Sequence, residues 1–230
     1  MPDAKSIIQC LTSSQKQIVE KLSDIVRSDM RYKYETFGKD IESPLVEIIT
    51  DILISKKIID DKSIIKPSSN KNEFPDMKIS STPVLAIEFK SGNHCKKEGS
   101  RWVSCSNSNN DLGTLNKWDE KLESFGGENI YYVFVEYAFS DERRDIVDVK
   151  IDPFYKFLDL NRDGVLKYRK KDGNLRPKNF DSTPKVTSLE MFQNLLNKTN
   201  IHRAKSLIEQ YITMIPKDER DEYLETLKKI

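Results

Sequence analysis

Asp76, Glu88 and Lys90 are the residues of this chain whose types and spacing can do chemistry. The run from Val84 to Lys90 is short, apolar and alternating, as a half-buried strand should be. Leu85, Ile87 and Phe89 fall on one face; Ala86, Glu88 and Lys90 fall on the other, so Glu88 and Lys90 project side by side. Asp76 opens the preceding run, Met77 to Ser80, and Ser81, Thr82 and Pro83 supply turn residues. Pairing Ser80 with Val84 across that turn sets Asp76 opposite Glu88. Two carboxylates held that close repel unless a cation lies between them. Mg²⁺ suits such an all-oxygen site, completed by waters and a substrate phosphate. Lys90 would then hold the phosphate, or orient and deprotonate an attacking water. The chemistry is metal-assisted hydrolysis of a phosphodiester.

The neighbouring elements must position that hairpin. Beyond Lys90 the chain is polar and turn-prone from Ser91 to Asn110. A helix follows, with Leu112, Leu115, Trp118, Leu122 and Phe125 as its apolar stripe and Gly126 and Gly127 as its stop. Ile130 to Phe139 is a nearly continuous apolar run, which predicts a strand buried on both faces. Strand, helix and buried strand make a crossover, so the two strands should be parallel neighbours. Upstream, Ser14 with Gln17 suggests a capping box leading a helix that carries Ile18, Val19, Leu22, Ile25 and Val26. A second helix should begin at Ser43 and Pro44, a cap and first-turn pair, with Leu45, Ile48, Ile49 and Ile52 inward and Glu47 on the opposite face. These elements predict an α/β core with a mixed central sheet.

In this setting, Pro75 and Asp76 followed by Glu88, Phe89 and Lys90 resemble the signature of the PD-(D/E)XK nuclease superfamily. The chain as a whole resembles a small type II restriction endonuclease. The resemblance spans roughly residues 43–139 and implies an αβββαβ, restriction-endonuclease-like core. It implies that Asp76 and Glu88 bind divalent metal, Mg²⁺, and that Lys90 assists the attacking water. Many members add a Glu from the helix before the hairpin; Glu47 is the first candidate and Glu42 the second. It further implies cleavage of double-stranded DNA at a short, palindromic site, leaving 5′-phosphates and 3′-hydroxyls. A two-fold site calls for a homodimer, and a cognate DNA methyltransferase would be the functional partner. Two alternatives stand beside this reading: a structure-specific repair or junction nuclease of the same superfamily, and a DNA-binding protein in which Glu88 and Lys90 are only a polar strand face.

With 230 residues the chain is most simply one domain, 1–230, ending in a basic hairpin over roughly 161–178 and helices over roughly 187–230. A net charge of +1 argues against a generally basic nucleic-acid binder, although it leaves local patches open. Three cysteines (Cys10, Cys95 and Cys105) without a secretory signal point to a reducing cytoplasm, and no apolar run reaches membrane-spanning length. Three segments are candidates for DNA contact. The first holds Arg162, Lys167, Arg169, Lys170, Lys171, Arg176 and Lys178 against only Asp163 and Asp172; its lysines would neutralise phosphates, and Arg169 or Arg176 would reach guanine edges. The second follows the catalytic strand and carries Lys96, Lys97 and Arg101. The third contains Arg31 and Lys33 beside Met30, a residue able to wedge into a base stack.

Two metal motifs are decoys. Asp159 to Gly164 opens like a calcium loop, but its twelfth position is Lys170, so a tight turn is expected. His94, Cys95 and Cys105 lack the paired-cysteine spacing of a zinc site.

Overall fold

The computed structural model describes residues 1–29, 31–32, 36–70, 73–93, 95–98, 101–104, 111–139 and 144–227. Four helices come first: α1 (Ala4–Ser13), α2 (Gln15–Ser28), the short α3 (Phe37–Asp40) and α4 (Glu42–Ser55). Then follow β1 (Ile65–Pro67), β2 (Met77–Ile79), β3 (Leu85–Asn93) and a separate hairpin of β4 (Cys95–Glu98) and β5 (Arg101–Ser104). Helix α5 (Trp118–Phe125) leads to β6 (Ile130–Phe139) and β7 (Arg144–Pro153). Helices α6 (Leu189–Ile212) and α7 (Lys217–Leu227) close the described chain. The main sheet runs β1-β2-β3-β6-β7. Its pairs are antiparallel except β3 with β6, which are parallel and joined through α5. That is the mixed sheet and αβββαβ order expected from the sequence, with α4 as the leading helix.

The alternation of β3 divides the interior into two cores. Leu85, Ile87 and Phe89 join the apolar faces of α1, α2 and α4 on one side. Ala86 lies on the other side, with Trp118, Tyr132, Phe134, Phe154 and Phe192. Trp118 stacks on Phe154 at 4.2 Å and meets Phe192 edge-on at 5.2 Å, which anchors α5 to the sheet and to α6. Burying an aromatic side chain of this size contributes roughly 1.5–3 kcal/mol, so α5 is firmly seated despite its short length.

Several local details differ from what the sequence predicts. Ser14 precedes α2 but makes no side-chain cap; its hydroxyl donates to the Cys10 carbonyl at 2.6 Å and accepts from Lys56 Nζ at 2.7 Å. Helix α4 begins at Glu42, one residue before the predicted Ser43 cap, and Pro44 sits inside the first turn, where no intrahelical N–H is required. Strand β3 continues past Lys90 to Asn93, and α5 starts only at Trp118. The predicted basic hairpin is two tight loops held by isolated bridges, Leu160 with Leu166 and Tyr168 with Leu175. Asn161 Oδ1 accepts from the Asp163 and Val165 N–H groups in the first loop, the expected tight turn. Ser188 caps α6 by accepting from the Met191 N–H at 3.1 Å. Phe192 and Leu196 of α6 reach the core, whereas Ile208 and Tyr211 are exposed. Among the described residues no helix is long and apolar enough to cross a membrane.

Candidate active site

The register of β2 against β3 decides the site. Met77 pairs with Ile87, Lys78 with Ala86 and Ile79 with Leu85, and the same diagonal sets Asp76 opposite Glu88. The Asp76 backbone N–H donates to Glu88 Oε2 at 3.2 Å, and the Phe89 N–H donates to Asp76 Oδ2 at 2.6 Å. Lys90 Nζ donates to Glu88 Oε1 at 2.7 Å, both side chains being mostly buried. On the parallel neighbour, Tyr132 pairs with Glu88, and its ring centroid lies 5.9 Å from the Lys90 ammonium. The Tyr132 hydroxyl donates to the Leu112 carbonyl at 3.0 Å, tying the floor of the site to the segment before α5. Asp76, Glu88 and Lys90 open into one cavity of about 470 Å³, which Glu42, Glu73 and Lys121 also line.

The electrostatics follow from two acids sharing a partly dry corner. Burial first, and then the Glu88 charge, push the Asp76 carboxyl up to about 7, with Glu42 adding to the effect. The Lys90 charge and the Phe89 N–H pull the other way without cancelling it. Burial alone would lower Lys90, but the charges of Glu88 and Asp76 outweigh it and hold the ammonium above its ordinary range. Among the described residues no three His, Cys, Asp or Glu side chains converge into a closed metal cage. A mutually repelling carboxylate pair with no histidine or cysteine beside it among the described residues fits a hard divalent cation that keeps most of its waters.

The predicted site residues separate into three groups. Asp76, Glu88 and Lys90 lie together. Glu47 does not join them; it lines a second cavity, of about 650 Å³, with Asp29, Arg31, Tyr32 and Asp40. The helix glutamate that lines the first cavity is Glu42. The sequence held a signal for it: Glu42 falls only about 20° from Ile49 at about 100° per residue, and so extends the inward stripe of α4 by one turn. Glu47 lies on the far side of that stripe.

The candidate DNA-contacting residues are dispersed. Arg31 is exposed, and its guanidinium donates to Asp29 Oδ1 at 3.1 Å and to Oδ2 at 2.6 Å. Lys33 and Met30 lie outside the described residues, as do His94 and Cys105. The backbone of Lys96, Lys97 and Arg101 lies in the β4–β5 hairpin, directly after the strand that carries Lys90. In the basic segment, Arg169 and Arg176 are both held by Asp111, at 2.7 and 2.6 Å, in place of the free guanidinium groups expected. Lys167 pairs with Asp159 at 3.1 Å, and Lys178 donates to the carbonyls of Asn179, Phe180 and Ser182. Lys170 and Lys171 are exposed and have no such partner among the described residues. Lys121, with Phe74 against it, also lines the cavity; the sequence carries no sign of this, because an amphipathic helix gives its polar residues no mark to separate a site lysine from a solvated one.

No protein family and no curated protein matches the chain. Solved structures do. The NlaIV restriction endonuclease superposes with a TM-score of 0.53 at 16% sequence identity, over 73% of this chain and 65% of that one. The fold is restriction-endonuclease-like, and the chain matches 65% of that neighbour's length.

Proposed function

We propose that the chain is a Mg²⁺-dependent endonuclease of the PD-(D/E)XK type that cleaves double-stranded DNA at a short site, as a type II restriction enzyme does. The observation that carries this reading is the hairpin register, which gathers Asp76, Glu88 and Lys90 at one cavity of a restriction-endonuclease-like fold. Asp76 and Glu88 would hold the metal, with Glu42 near enough to add negative charge. Bound Mg²⁺ supplies charge neutralisation at the phosphate and a more acidic water. Lys90 is held in its charged form, which favours donation to a phosphate oxygen, or orienting the water, over taking the water's proton. Water would add to phosphorus as the bond to the 3′-oxygen breaks, the water giving a proton to solvent and the departing 3′-oxygen taking one from solvent; the products are a 5′-phosphate and a 3′-hydroxyl. Lys170, Lys171 and the β4–β5 hairpin with Lys96, Lys97 and Arg101 are the proposed contacts to the duplex. A cytoplasmic homodimer working beside a cognate DNA methyltransferase completes the reading.

Digestion of unmethylated plasmid DNA with Mg²⁺, with EDTA and with a Lys90→Ala protein tests it. Discrete fragments absent from both controls are expected. Smearing would favour a nuclease that reads DNA structure, and intact DNA across several substrates and metals would leave a binding protein.

A further inference from the structure

Lys121 lines the active-site cavity from the crossover helix α5. Its ammonium lies 3.8 Å from the centroid of the Phe74 ring and 4.9 Å from that of Trp118. Phe74 belongs to the same short segment as Asp76 and meets Phe125 of α5 edge-on, so this aromatic slot is built from both sides of the site. The backbone also makes room. Gly113 adopts φ +96°, and a Cβ there would lie 3.1 Å from Lys121 Nζ.

Ring faces attract a cation but accept none of its N–H hydrogens as strongly as an oxygen would. Among the described residues Lys121 has no carboxylate at ion-pair distance and no hydrogen-bond acceptor. Lys90, by contrast, is committed to Glu88. Carboxylates outnumber lysines around the cavity, so a phosphodiester entering it needs a cation not already spent on them. We propose that Lys121 is a substrate-binding residue of this site, its ammonium taking a non-bridging oxygen of the DNA backbone at or beside the scissile phosphate. The inference rests on the nuclease reading above and adds a residue to it. Burial lowers the Lys121 ammonium to about 8, the condition of a buried cation short of acidic partners, and a phosphate would supply one.

The alternative is that Lys121 only packs its stem on the two rings. Lys121→Met keeps that packing and removes the charge; Lys121→Arg keeps the charge. Both are compared with wild type and Lys90→Ala on linear plasmid DNA. Thermal melting first checks that each variant folds. Single-turnover cleavage is measured in Mg²⁺, and binding is measured in EDTA across a salt series. Lys121→Met should cut at least about tenfold more slowly, and the slope of log K against log salt should fall by about 0.9, one phosphate's share. Lys121→Arg should restore most of both. If wild type cuts and Lys121→Met matches it in rate and slope, the lysine is packing and this inference alone fails. If wild type neither binds nor cuts, the nuclease reading fails and takes the inference with it.

Discussion

Burial and the Glu88 charge raise Asp76 from 3.8 to about 7, so its ionised form is disfavoured by the fold that holds it. The consequence for stability has a definite sign. At the lowest pH the acid is neutral in both folded and unfolded chains and costs nothing. As pH rises from about 4 to about 7 the unfolded chain ionises first and stability falls; above that the whole penalty is in place. Asp76→Asn should therefore melt above wild type in metal-free buffer at pH 8, by about 2 kcal/mol after allowing for solvent screening. The gain should fade toward pH 4, and the variant should cut no DNA. Equal stability of the two proteins across that range would remove the repulsion argument for a cation at the pair. Glu42 and Glu47 give a second test at this scale. Glu42→Gln should raise the Mg²⁺ concentration for half-maximal cleavage about tenfold, and Glu47→Gln should leave it unchanged, because Glu47 lines the other cavity. The reverse outcome would move the third acid to Glu47.

At the scale of elements, what the sequence made legible was short-range. The alternation from Leu85 to Phe89 and the turn before it fixed the hairpin register, and the unbroken apolar run fixed β6. Strand β7 was illegible because its pairing with β6 is irregular between Glu136 and Tyr137. That bulge exposes Val147 and buries Ile146 and Val149 three residues apart, which hides the two-residue period. The basic segment misled for the opposite reason. The acid that holds both arginines, Asp111, lies 58 residues from Arg169 and 65 from Arg176, too distant for any local charge count, while Asp172 adds a local pairing to Arg169. The segment's cations consequently divide into two kinds, and mutation should separate them. Asp111→Ala removes the acid that ties both Arg169 and Arg176 to the chain before α5, although Arg169 keeps its pairing with Asp172, and urea unfolding should show a loss of about 1 kcal/mol. Lys170→Ala with Lys171→Ala should leave stability within about 0.5 kcal/mol of wild type yet lower the salt slope of DNA binding by up to about 2. A stability loss without a change of slope in the lysine pair would return the whole segment to a structural role.

For the molecule as a whole, a net charge of +1 supplies no long-range pull on DNA, so affinity has to come from local cations and from the number of sites engaged at once. Each chain carries one cavity with Asp76, Glu88 and Lys90, and on the proposed reading one such site would break one strand. The strands of a duplex are antiparallel, and across a palindromic site they are related by a two-fold axis. Two copies of the chain on that axis present two equivalent cavities to two equivalent phosphates. A dimer should then convert supercoiled plasmid directly to linear DNA, whereas a lone chain would release nicked circles first. The expected result is sedimentation of Lys90→Ala as two chains per duplex, together with linear product from wild type at the earliest times. A protein that sediments as a monomer both alone and on DNA, and accumulates nicked circles, would sink the two-fold arrangement. The same outcome would favour a nuclease that recognises DNA structure, since a single asymmetric site has no use for a palindrome.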